Sequence, residues 1–197
     1  MKGKNMAFRK IFWAGAALVA LSSAASAHSF SVALLGGGAG GVDQLQSAVR
    51  GFLVASAEND GHSDETADGH LGGLDVFLSP LPTALAADIT GLMRQPTDLF
   101  DLVVVLDGNA TLENQNGVEP TTVVVAAGTL PAPAQRADFI QAYQARFATM
   151  PDEAAAQGYN AARRIDQAVR LLGGAEQSAA FSDALAATQG GIDWQAK

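Results

Sequence analysis

Two rhythms of apolar residues run through this chain. From residue 139 onward, Phe139, Ala142, Tyr143, Arg146 and Phe147 recur at intervals of three and four, and Ala155, Tyr159, Ala162, Ile165, Val169 and Leu172 do the same. Such spacing predicts two helices, each pressing one face onto a core. Pro131 and Pro133 stand just before the first helix, where a missing amide does least harm. Pro151, Asp152 and Glu153 open the second, placing a proline and two acids at the positive end of a helix. Gly173 and Gly174 end it in the manner of a C-cap. The alanines at 154–156, 161 and 162 predict close approach to a neighbouring element, with Arg163, Arg164 and Arg170 on the wet side.

The other rhythm is a set of short, continuous apolar runs. Residues 30–35 read as a strand that enters the glycine run 36–41, followed by a helix over 42–57 with Val42, Leu45, Val49, Phe52 and Leu53 inward. Residues 58–73 are polar and aperiodic, which predicts a loop. Residues 74–78 read as a second strand stopped by Pro80 and Pro82, and residues 83–93 as a helix with Leu85, Ile89, Leu92 and Met93 inward. Residues 101–106 are β-branched and continuous, as a central parallel strand covered on both faces requires. Residues 109–120 are turn-like, 121–127 form another buried-type strand, and 179–187 a final short helix. The order β-α-β-α-β-β-α-α-α predicts a three-layer, open, mostly parallel α/β fold with ligand-facing loops at the carboxyl ends of the strands.

The first residues follow a different logic. Lys2, Lys4, Arg9 and Lys10 supply a positive start, residues 11–21 an apolar run, and Ala25-Ser26-Ala27 a small-residue cleavage site. This is the pattern of a secretory signal over residues 1–27, with an uncleaved anchor as the alternative. The run is short for a membrane span. The remaining chain divides into one domain over 28–189 and a tail over 190–197, in a protein expected in the periplasm. No cysteine is present, which excludes disulfides and thiol chemistry. Removal of the leader leaves eight basic against twenty acidic side chains, about −12 overall, and such a surface excludes nucleic acid as a partner.

One resemblance adds to this reading. The order F-I-x-A-Y-x-A-R-F over 139–147, then P-D-E-A-A-A-Q-G-Y-N-A-A-R-R-I-D-Q-A-V-R over 151–170, resembles the C-terminal part of type I periplasmic binding proteins of the leucine/isoleucine/valine-binding family. Gly158-Tyr159-Asn160-Ala161 stands where that family carries a Gly-Tyr-Asp-Ala-type helix start, and Asn59 with Gly72-Gly73 stands before a strand as in the family. The resemblance spans residues 130–187. It implies one lobe of a binding protein, a small-molecule solute as ligand, and an inner-membrane ABC permease as partner. The usual member grips its ligand between two lobes. A chain with room for one either binds with half a cleft, pairs as a homodimer to rebuild it, or keeps the lobe as an interaction scaffold.

Candidate ligand-binding residues follow from position at strand ends: Gly38, Gly40 and Gly41 after the first strand, Ser79 after the second, Asp107 and Asn109 after the third, Thr129 after the fourth. Backbone amides with Ser79 or Thr129 suit a carboxylate, and Asp107 suits an ammonium. The glycine run is no nucleotide fingerprint, because it lacks the Lys-Ser/Thr of a P-loop and the complete dinucleotide motif. The family's serine and threonine cluster for a ligand carboxylate is not recognisable here. His28, His62 and His70, near Asp60, Asp64, Glu65 and Asp68, are suitable metal ligands or simply members of a solvated acidic loop. No G-x-S-x-G is present, and Asp75 and Asp107 have no lysine between Lys10 and Lys197 to help with phosphate. The expectation is a non-enzymatic protein without a cofactor.

Overall fold

The computed structural model describes residues 29–36, 41–58, 66–82, 100–106, 121–124, 133–176 and 179–188. In chain order these form β1 (Ser29–Gly36), α1 (Gly41–Ala57), β2 (His70–Leu71), β3 (Leu74–Pro82), β4 (Leu102–Val105), β5 (Thr121–Val124), α2 (Pro133–Phe147), α3 (Glu153–Leu172) and α4 (Ala179–Ala187). The helix expected over 83–93 lies outside the described residues.

The strands make one mixed α/β sheet in the order β2-β3-β1-β4-β5, parallel throughout except for the antiparallel edge strand β2. Both faces of its centre are buried. Phe30, Val32 and Leu34 of β1, Val76 of β3 and Leu102 and Val104 of β4 meet Leu45, Ala48, Phe52 and Ala55 of α1 and Ile165, Ala168 and Val169 of α3. The alternate positions Ala33, Leu35, Val103 and Val105 form a second cluster with Leu81 and Phe100 on the other face. This two-sided burial is why these strands read as unbroken apolar runs. Outside the α1–α3 pair, α2 adds a third cluster of Phe139 and Tyr143 on Val54, Ala155 and Ala156.

The two principal helices touch backbone to backbone. A Cβ on Gly51 would stand 1.8 Å from the Ala155 carbonyl oxygen, and one on Gly158 would stand 1.9 Å from that of Ala48. The small residues around 155–162 therefore serve a helix–helix contact. Asp152 caps α3 by accepting from the Ala155 amide at 2.9 Å, and Gly173 closes it in the left-handed region, donating to the Val169 carbonyl at 2.7 Å.

Five expectations are corrected. The stretch 58–73 is not wholly loop, because His70–Leu71 pairs with Leu74–Asp75 across Gly72 and Gly73. Both glycines have positive φ, +66° and +87°, which a two-residue type I′ hairpin turn requires. The second strand does not stop at Pro80 but runs to Pro82. The amides of Val76 and Leu78 point to the outer side of β3, toward the Gly69 carbonyl and the Asp68 carboxylate. Pro80 and Pro82 share their parity, so the missing donors lie on the outer edge and pairing with β1 survives. Val42 is not inward but 71 % exposed, since α1 reaches the core only from Leu45, and Leu172 is 44 % exposed because α3 outlasts its support after Val169. Arg164 is not simply a wet-side residue. It is half-buried and donates to the Leu185 carbonyl and to Thr188 Oγ1, closing the C-terminal end of α4.

Candidate functional site

Among the described strands the sheet has a topological switch point between β1 and β4. β1 connects through α1 to β3 on one side, whereas β4 is followed by β5 on the other, and β1 and β4 are neighbours. In open α/β sheets the crevice beyond the carboxyl ends of such a pair is where ligands bind. Here that edge consists of Gly36 at the end of β1, Leu106 just past β4, and the first turn of α1 beginning at Gly41. Gly41 has φ +66°, a conformation available to glycine at little cost, so the chain turns into the helix at that residue. Asp43 lies in the first turn of α1.

The floor of the edge is apolar. The Leu106 amide donates to the Leu35 carbonyl at 3.1 Å, which extends the β1–β4 pairing by one residue. The Leu106 side chain, 5 % exposed, lies over Gly36 so closely that a Cβ there would stand 2.6 Å from Leu106 Cδ1. The starts of α1 and α3 are joined to each other. Ser47 Oγ donates to Asp152 Oδ1 at 2.7 Å, and that same oxygen caps α3. The buried Tyr143 places its hydroxyl 3.5 Å from Ser47 Oγ.

Of the residues expected to bind a ligand, Gly41 is at this edge. Ser79 is not: it lies within β3, opposite Ala33 in register and three residues short of the Gly36 end. Val76 and Leu78 face α1, so alternation turns Ser79 to the opposite face of the sheet, on the side of Leu81. Gly38, Gly40, Asp107, Asn109 and Thr129 lie outside the described residues. So do His28 and His62. His70 is buried in β2, and its Nε2 stands 2.8 Å from Oδ1 of Asp75, its cross-strand neighbour. Among the described residues no group of three His, Asp or Glu could hold a metal ion.

Three polar groups that periodicity did not single out tie the elements together. Asp166, buried in α3, accepts from the Gly72 amide at 2.7 Å and from both Nε and a terminal nitrogen of Arg170, clamping the hairpin turn to the helix. That carboxylate holds the Arg170 guanidinium above its ordinary pKa. Glu58, just past α1, accepts from Tyr159 Oη and from Arg163, each at 2.6 Å. Burial, then the hydrogen bond and charge of Glu58, push the Tyr159 phenol well above its usual range. At the amino edge, Asp101 accepts from the amide and hydroxyl of Ser31 at 2.7 and 2.9 Å. The i, i+4 spacing of Asp166 and Arg170 was the only one of these signals available along the chain.

No protein-family profile, curated protein or solved structure matches this chain. Among the described residues no helix is long and apolar enough to cross a membrane.

Proposed function

We propose that this chain is an exported, periplasmic, solute-binding-like protein, a one-lobed relative of type I binding proteins in a three-layer fold. In this reading it serves as the substrate-binding component of an ABC transporter for branched-chain amino acids or similar small solutes. The observation that carries the reading is the switch point between β1 and β4, which leaves Gly41, at φ +66°, and the start of α1 at the carboxyl edge of the parallel strands. In this reading Asp107 takes the ligand ammonium, and backbone amides among residues 38–41 take its carboxylate, beside an inner-membrane permease as partner.

The test is calorimetric titration and thermal unfolding of the chain from His28 onward with leucine, isoleucine and valine. A ligand present at a hundred times its Kd adds about 2.7 kcal/mol of stability, which raises Tm by roughly 5–10 °C for a chain of this size. The Asp107→Ala variant should lose both the heat and the shift. Absence of heat and shift with all three amino acids would remove the amino-acid assignment.

A second reading rests on Leu106. Its side chain, 5 % exposed, packs directly over Gly36 at the carboxyl edge between β1 and β4 and occupies space that a solute would need. That favours a periplasmic interaction scaffold that keeps the lobe without the solute. The same titration separates the two, since a scaffold gives no response to small solutes.

A further inference from the structure

We draw no further inference here: the strongest candidate, the exposed apolar side chains Val42 and Met150 near the starts of α1 and α3, carries nothing, because the structure neither joins them into one surface nor shows what covers them.

Discussion

Replacing Gly158 by alanine tests the central packing contact of the domain. In an open helix this change stabilises by about 0.5–1 kcal/mol, because alanine gives up less conformational freedom than glycine. Here the added methyl would stand 1.9 Å from the Ala48 carbonyl oxygen, 2.7 Å from its carbonyl carbon and 3.0 Å from its Cα. Ordinary contact between such atoms begins beyond about 3 Å, so α1 and α3 would have to separate by about 1 Å. Because the obstacle is helix backbone, no rotamer change relieves it. Separation would loosen Phe52, Ala55, Ala162 and Ile165 in the main core together. Overpacking in a close-packed core costs about 1–3 kcal/mol and occasionally more, and the reciprocal contact at Gly51 places this case at the upper end. The expected net loss is about 2–3 kcal/mol, a fall in Tm of roughly 5–10 °C. Thermal and urea unfolding followed by circular dichroism reads it directly. Gly174→Ala is the control, since nothing lies within 4 Å of the place its methyl group would take and its φ is not left-handed; it should stay within about 0.5 kcal/mol of the parent. Ala48→Gly should not rescue Gly158→Ala, because the clash is with the main chain. A Gly158→Ala protein as stable as the parent would refute the backbone-to-backbone contact.

Three further predictions test the polar ties and the turns. Asp166→Ala strands the Gly72 amide and releases Arg170, and should lower stability by about 1–3 kcal/mol in urea unfolding; hydrogen exchange at Gly72 should accelerate, and unchanged protection there would contradict the clamp. Tyr159 ionises in the folded state only above its ordinary range, so the native state holds a proton that the unfolded chain releases, and stability should fall as pH rises above about 10. Denaturation midpoints across alkaline pH should show that slope in the parent and a shallower one in Tyr159→Phe, and equal slopes would count against the phenol. Ala148, held at φ +56° after α2, carries the strain of a left-handed backbone that glycine adopts freely, so Ala148→Gly should raise stability by up to about 1 kcal/mol; a loss in thermal unfolding would show that the strain is not released.

Legibility followed the range of the interactions. The runs at 30–35 and 101–106 announced strands buried on both faces, and the periodic positions from 155 to 169 announced the inner face of α3. Asp152 and Gly173 stood where a helix start and stop require them. These features depend on residues near one another along the chain, so sequence carries them. Pro80 and Pro82 misled because a proline's effect in a strand depends on which side its missing amide faces, and that is fixed by the neighbours of β3. Ser79 was displaced for the same reason, since the longer strand moved it from the end to the interior. Val42 and Leu172 kept the helical rhythm but outran the surface beneath them.

What the sequence determined by itself was the strands at 30–35 and 101–106, the helix after the glycine run, the capping of α3 and the acidic, cysteine-free character of the chain, because composition and local periodicity suffice for each. The tertiary structure alone decided that Gly51 and Gly158 serve one crossing, that Asp166 holds a turn 94 residues away, and that Leu106 covers Gly36. Each joins residues far apart in sequence, and no local pattern records which distant backbone will come within reach.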